Sequence, residues 1–117
     1  MADAHYTVDA LFVGKDQVVS DTYNRLLAVL GELGSFTVEP KKTSLHLVNK
    51  VGFAGVHPRK SHMYLNLRTQ RPLESPRIAK REQVSKSRYH NEVKLETPDD
   101  VDDELHMWLK EAYELSA

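Results

Sequence analysis

The sequence predicts an α+β domain in which a mostly antiparallel sheet of about five strands lies between N-terminal and C-terminal helices. Two observations support this prediction. Apolar residues recur at helical spacing near both ends of the chain, and the middle changes to the two-residue alternation of strands. Helices gathered at the two ends of a run of strands are expected to cover one common sheet face. The second face is therefore expected to be more polar, and residues 1–117 are expected to form a single domain.

The N-terminal helix is predicted over residues 15–33. Gly34 is well placed to end it, because helices commonly end in a left-handed conformation that a side chain would penalise. A short helical turn over residues 8–13, capped by Thr7, is predicted before it. The apolar stripe that this helix is expected to bury consists of Val19, Tyr23, Leu26, Leu27, Leu30 and Leu33.

An extended segment and five strands are predicted after this helix. Alternation is clearest over residues 61–68, where every second side chain from Met63 onward is apolar. Gly52 and Gly55 interrupt the preceding strand, which predicts a bulge or a close backbone approach there. The extended segment covers residues 36–39, and the other strands cover residues 44–49, 51–56, 78–84 and 89–95.

The C-terminal helix has the clearest start signal in the chain. Thr97 is a suitable N-cap, and Pro98 fits the first helical position, where a missing backbone amide costs no hydrogen bond. Asp99 and Asp100 are favourable at the positive end of the helix dipole. The stripe that this helix is expected to bury consists of Val101, Leu105, Trp108, Leu109 and Ala112.

Composition narrows the classes of function. The 117 residues contain no cysteine, which excludes a disulfide scaffold, a thiolate zinc site and a cysteine nucleophile, and favours a cytoplasmic protein. No apolar run reaches the ~20 residues of a membrane span, and residues 1–5 lack the start of a secretory signal. No P-loop, dinucleotide glycine motif, nucleophile elbow or H-E-x-x-H motif occurs, so no cofactor, metal ion or catalytic residue is predicted.

Charge is distributed unevenly along the chain. Thirteen Lys and Arg stand against three Glu in residues 41–94, whereas eight Asp and Glu stand against one Lys from residue 95 onward. A basic middle of this kind is a candidate surface for an anionic partner. The alternative interpretation is that acidic helices pack beside the basic region and neutralise it.

The outward side of the strand over residues 61–68 is the first candidate site. Imidazole, phenol, amide and guanidinium groups together bind an anion, a base or a small polar ligand. The alternative is a solvated polar face, which antiparallel sheets commonly have. The candidate side chains are His62, Tyr64, Asn66 and Arg68, with His46 and His90 contributed by neighbouring strands.

A basic loop and the strand after it form the second candidate site. Guanidinium groups bind phosphates in a bidentate manner, and Tyr64 and Tyr89 are candidates for stacking on bases, so nucleic acid is the partner this region favours. No known nucleic-acid-binding motif frames these residues, and the alternative is a solvated loop. The basic side chains are Arg68, Arg71, Arg77, Lys80, Arg81, Lys86 and Arg88.

Most of the chain resembles a bacterial family known as domain-of-unknown-function family 5655. The resemblance rests on residues 39–43, 52–61, 64–67, 76–78 and 89–93 and on the closing helix. It implies a helix-flanked sheet, which the small YdhG-like proteins share more loosely, and it carries no activity that could be transferred. The residues of the resemblance that overlap the candidate sites are Lys41, Lys42, His57, Arg59, Lys60, Tyr64, Asn66, Arg77 and His90.

Three functional hypotheses follow from the sequence. The first is a non-enzymatic binding or accessory domain whose basic surface takes an anionic partner, with nucleic acid as the leading partner. The second is a small-molecule pocket, with or without catalysis, between the sheet and the N-terminal segment. The third is a self-association or protein-docking module that uses the open sheet face or an edge strand, including a homo-oligomer. The pocket hypothesis relies on His46, His62, Tyr64, Asn66 and Arg68.

Overall fold

The computed structural model describes residues 6–116 and contains a six-stranded sheet and two helices. This confirms the predicted α+β class and the helix–strands–helix order. The sixth strand arises because the extended segment after the first helix pairs as an edge strand. In chain order the elements are a 3₁₀ turn (Asp9–Phe12), α1 (Gln17–Leu33), β1 (Thr37–Pro40), β2 (Leu45–Val48), β3 (Gly52–Pro58), β4 (Met63–Thr69), β5 (Ile78–Ser85), β6 (Arg88–Leu95), a second 3₁₀ turn (Pro98–Asp100) and α2 (Asp103–Leu115).

All neighbouring strands run antiparallel, in the spatial order β1-β2-β3-β4-β6-β5. Consecutive strands are neighbours in this order except between β4 and β5. Residues 70–77 form a crossover loop that runs from the end of β4, past the position of β6, to the edge of the sheet, where β5 begins. Leu73 is fully buried within this loop and anchors it to the core.

Both helices supply the core that covers one face of the sheet. Four residues of the predicted α1 stripe are buried together with Val29, whereas Leu27 and Leu33 are only partly buried. Every residue of the predicted C-terminal stripe is buried. The apolar strand residues beneath the helices are Leu45, Leu47, Phe53, Val56, Met63, Leu65, Leu67, Val93 and Leu95.

The prediction that Pro98 begins the C-terminal helix is wrong. Thr97 does form a capping box with Asp100, but it caps only the 3₁₀ turn. The backbone then leaves helical geometry at Val101 (φ −86°, ψ 74°), whose side chain is buried in the core. Helix α2 restarts with Asp102 as its N-cap, which accepts a hydrogen bond from the Leu105 amide at 3.0 Å.

A bulge near the start of β3 confirms the irregularity predicted from its glycines. Leu47 pairs with Ala54 and Val48 pairs with Gly52, so Phe53 is the extra residue on β3. Its buried ring lies edge-on to the rings of Phe36 and Tyr113, at centroid distances of 6.4 Å and 5.4 Å. The bulge therefore directs an aromatic ring into the core at a position where alternation alone would not place it.

No helix within the described residues 6–116 combines the length and the apolar character that crossing a membrane requires.

A buried amide ties the crossover loop to the sheet. Asn91 on β6 is fully buried and lies on the helix-covered side. Its Nδ2 donates to the Leu67 carbonyl at 3.2 Å and to Thr69 Oγ1 at 2.9 Å, while its Oδ1 accepts from the Leu73 amide at 3.1 Å. One side chain thus satisfies buried groups of both β4 and the loop that follows it.

We expect Asn91→Ala to lower the free energy of unfolding by about 2–4 kcal/mol, because it leaves buried backbone groups without partners. Asn66→Ala is a matched control on the neighbouring strand, since Asn66 lies on the open face and its loss is expected to cost at most about 0.5 kcal/mol. Urea unfolding followed by circular dichroism measures both values. Equal losses in the two variants would contradict the structural role assigned to Asn91.

Candidate functional site

The strand register brings polar side chains together on the face that the helices leave open. On this face His46 of β2 lies opposite Gly55 of β3, which lies opposite Asn66 of β4. Asn66 in turn lies opposite Glu92 of β6. The chain therefore places an imidazole, an amide and a carboxylate in one row across four strands.

Two further rows flank this one. His57 lies opposite Tyr64, and Arg68 lies opposite His90. Buried and partly exposed residues alternate strictly along β4, as expected for a strand with one covered face. The strand register therefore brings the outward residues of β2, β4 and β6 together on one face, as the sequence predicts.

A depression of about 200 Å³ lies at the centre of these rows, and we call it the open-face depression. Gly52 and Gly55 contribute no side chains to its floor, so the sheet surface is hollow there. Among the described residues, no carboxylate belongs to its lining. Its lining consists of His46, Gly52, Phe53, Ala54, Gly55, His57, Asn66, Arg68 and His90.

The electrostatics of the depression favour an anion over a cation. Burial lowers the pKa of His57 below its ordinary value, and the positive charge of Arg59 and the neighbouring His46 lower it further, while Glu92 opposes them. The lowered pKa favours the neutral form of His57 at pH 7. Arg68 supplies a permanent positive charge, and its Nη1 donates to the Gly52 carbonyl at 2.8 Å, which fixes the guanidinium at the edge of the depression.

An aromatic cluster continues the polar face beside His57. The ring of Tyr64 lies edge-on to that of His62, with centroids 5.2 Å apart, and the guanidinium of Arg59 lies 5.7 Å from the Tyr64 centroid. These three residues lie outside the lining of the depression. They form its rim on the side toward the β3–β4 turn.

Lys60, in the same turn, has a different role. Its Nζ lies 2.9 Å from Asp16 Oδ1, and its carbonyl accepts from the Asp16 amide at 2.8 Å. These contacts tie the β3–β4 turn to the start of α1. The lining of the open-face depression comes from β2, β3, β4 and β6 alone, and no residue of the N-terminal segment belongs to it.

The basic loop does not join this face. Arg77 forms ion pairs with the C-terminal helix. Its Nη1 lies 2.8 Å from Asp102 Oδ1 and 3.2 Å from Glu104 Oε1. Its Nη2 donates to the Asp100 carbonyl at 2.6 Å, and its guanidinium lies 5.8 Å from the Trp108 ring centroid. This guanidinium is a structural clamp between the crossover loop and α2.

Arg71 also pairs with α2, through Glu111 at 2.8 Å, but its side chain is 58% exposed. Arg71 and Arg77 together bear out the interpretation in which acidic helices neutralise part of the basic region. The two residues lie on the helix-covered side of the molecule and do not converge with Arg68.

The β5–β6 hairpin divides the remaining basic residues between the two sheet faces. Lys80 lies opposite Glu92 and lines a smaller depression of about 70 Å³ that also borders Asn66 and His90. Arg81 lies on the other side, 4.0 Å from a carboxylate oxygen of Glu74.

The two tyrosines expected to stack on bases point to opposite faces of the sheet. Tyr64 lies on the open face, whereas Tyr89 lies opposite the buried Thr69 on the helix-covered side. They cannot contribute to one stacking surface.

No three His, Cys, Asp or Glu side chains of residues 6–116 are gathered closely enough to hold a metal ion. The hollow floor of the depression and the position of Arg88 were not predicted from the sequence. The signal for the floor was present in Gly52 and Gly55, which come to lie on the same face as the polar residues. The position of Arg88 depends on the hairpin register and has no local signal in the sequence.

The fold and its hollow, polar face define an α+β domain with a one-sided antiparallel sheet. The chain belongs to the family described as Domain of unknown function (DUF5655), whose model matches residues 8–116. This confirms the family resemblance. No curated protein and no solved structure matches the chain.

We expect Arg77→Ala to lower the free energy of unfolding by about 2 kcal/mol, because it removes charge-assisted hydrogen bonds and leaves the Asp100 carbonyl without its partner. Arg71→Ala removes an exposed ion pair with the same helix and is expected to cost less than about 1 kcal/mol. Thermal and urea unfolding measure both variants. A loss for Arg77→Ala as small as that for Arg71→Ala would contradict the clamp.

Proposed function

We propose that this domain binds a small anionic molecule in the open-face depression. The observation that carries the proposal is the convergence of three imidazoles, an amide and a guanidinium on a hollow floor that no carboxylate of residues 6–116 lines. These groups are hydrogen-bond donors when the histidines are protonated, and Arg68 is already oriented by its bond to Gly52. A binding role without catalysis accords with a site built from donors and a single fixed cation.

The environment of His57 suits reversible capture of an anion. An imidazole that is partly buried and close to other positive groups gives up its proton in the free protein. A bound negative charge reverses that balance, so the ligand and one proton are expected to bind together. A bacterial source and a cytoplasmic location remain predictions from the sequence.

The proposal is tested by a thermal-shift screen followed by calorimetry. Phosphate, sulfate, small carboxylates, sugar phosphates and nucleotides are compared with their uncharged parents. A ligand that binds only the native state raises its melting temperature. We expect anionic compounds to stabilise the protein and their uncharged parents to have little effect.

We expect the affinity for the best anion to rise as the pH falls from about 8 toward the lowered pKa of His57, and to level off below it. For one coupled proton the slope approaches about tenfold per pH unit. His57→Gln is expected to flatten this dependence, while His106→Gln, at a half-buried position on α2 outside the depression, serves as the control. Affinity that is independent of pH, or unchanged in both His57→Gln and Asn66→Leu, would overturn the open-face site.

The exposed β5–β6 hairpin supports a second candidate function, which is binding of a nucleic-acid backbone. Residues 79–88 are all exposed, and they carry four basic residues against Glu82 alone. Because Lys86 lies in the hairpin turn and Arg88 directly follows the turn, both are accessible to phosphates along an extended chain. This candidate retains the partner that the basic middle of the sequence favours.

Fluorescence anisotropy with labelled single- and double-stranded DNA and RNA tests this second candidate. Binding through phosphates predicts a log–log salt dependence with a slope of about −0.9 per contact on duplex DNA. Arg81→Gln combined with Lys86→Gln is expected to weaken binding and to reduce the slope by up to two contacts. Arg25→Gln combined with Lys110→Gln removes the same charge from the helices and should change neither, and no binding at low salt would eliminate this candidate.

The edge strands do not favour the self-association hypothesis. β5 carries several charged residues and two register shifts against β6, and β1 has four residues and ends at Pro40. Charges, bulges and proline are features that protect an edge from pairing with another chain. These features argue against strand pairing at either edge and favour the open face for the small-anion site.

A further inference from the structure

We propose a second subsite beside the open-face depression, which binds the phosphate group of a small phosphorylated molecule. We call it the hairpin pocket. This inference rests on the proposed function, because the rest of the same ligand would lie in the open-face depression. It deepens that function by naming the ligand class as phosphate monoesters of small polar molecules.

The hairpin pocket lies where the start of β3, the end of β4 and the β5–β6 turn meet the end of α2. Its volume is about 100 Å³, which suits a single tetrahedral group. The polar side chains that face it are Arg68, Arg88, Gln70 and Ser87, while Ser116 also lines it but donates its hydroxyl to the Tyr113 carbonyl at 2.6 Å. Within residues 6–116 no carboxylate belongs to the lining. Thr69 also lines the pocket, but its hydroxyl donates to the Arg71 carbonyl at 2.5 Å and is already used.

Two guanidinium groups without a carboxylate partner are the main observation. Within residues 6–116, Arg71, Arg77 and Arg81 each pair with an acidic residue, whereas Arg68 and Arg88 do not. Burial lowers the pKa of Arg68, and the positive charge of Arg88 lowers it further. An anion between the two guanidinium groups would relieve the repulsion. A phosphate group matches this arrangement because guanidinium binds it in a bidentate manner.

Arg68 and Gly52 join the two sites. Both residues line the hairpin pocket and the open-face depression. The hydrogen bond from Arg68 Nη1 to the Gly52 carbonyl occupies one of the five N–H donors of the guanidinium, so four remain for a ligand. A phosphate in the hairpin pocket therefore leaves the remainder of its ester within reach of His57, Asn66 and His90.

The combined space supports a compact ligand. Depressions of about 100 Å³ and about 200 Å³ that share two residues come close to the lower limit of small-molecule sites, about 300 Å³. The polar lining of the open-face depression favours a hydroxyl- or amide-bearing body over an apolar one. A phosphorylated sugar or a nucleoside monophosphate has this chemistry.

The test is an NMR titration of the 117-residue protein, observed through its backbone amides, with inorganic phosphate, ribose 5-phosphate, adenosine 5′-monophosphate and their uncharged parents. We expect phosphate alone to shift the resonances of Gln70, Ser87 and Arg88. We expect at least one ester to shift Gly55 and Asn66 as well, and to bind at least tenfold more tightly than phosphate.

Arg88→Gln is expected to weaken phosphate and ester binding about tenfold, with Arg88→Lys intermediate because it keeps the charge but not the bidentate geometry. Arg71→Gln, which removes a guanidinium from an exposed ion pair, is the matched control and should change neither affinity. Because Arg88 is exposed, its substitution is expected to leave the fold intact, and the amide spectrum of the variant checks this.

The outcomes separate this inference from the proposed function. An anion that shifts only the open-face resonances, with equal affinity in Arg88→Gln, overturns the hairpin pocket and leaves the proposed function standing. Phosphate that binds at Arg88 while no compound shifts Gly55 or Asn66 overturns the proposed function and the shared ligand together. No shift at either site with any of these compounds also overturns both.

Discussion

Both helices bury their apolar stripes against the same face of the sheet, and the rest of the molecule depends on this constraint. Leu26 and Leu30 of α1 and Leu105 and Leu109 of α2 are all fully buried there. When helices cover one face of a sheet, the other face is exposed to water. The side chains on that exposed face are not constrained by packing in the core. Polar residues collect there because nothing in the core requires them to be apolar. The open face is thus where this domain has the freedom to carry a binding site.

The hollow in that face is a consequence of how the core is filled. The bulge in β3 turns Phe53 toward Phe36 and Tyr113, which completes the core beside α2. The neighbouring glycines then face the open side, where they leave space between side chains of adjacent strands. Arg68 reaches across this space and donates to the carbonyl of Gly52. The same local irregularity therefore contributes an aromatic ring to the core and the floor of the candidate site.

Much of the architecture could be predicted from the sequence, because periodicity reports which side of an element is buried. Both the buried C-terminal stripe from Val101 to Ala112 and the alternating burial along β4 could be predicted in this way. Pairing partners and the path of a loop are not local properties, and the errors arise there. Tyr64 and Tyr89 look equivalent in the sequence, yet the register puts them on opposite faces. Pro98 carries every signal of a helix start, but burial of Val101 breaks the helix before it can continue.

The fate of the arginines shows why a basic stretch cannot be interpreted as one surface. Arg77 and Arg68 lie nine residues apart in the same basic region. The crossover loop carries Arg77 to the acidic start of α2, where carboxylates and the Trp108 ring satisfy it. Arg68 remains on β4, where its neighbour across the hairpin pocket is another guanidinium. An arginine such as Arg77, which pairs with carboxylates of α2 and stabilises the fold, is therefore not available to bind a ligand. Arg68 and Arg88 both line the hairpin pocket without a carboxylate partner among the described residues, and we propose that a single phosphate there contacts both cations.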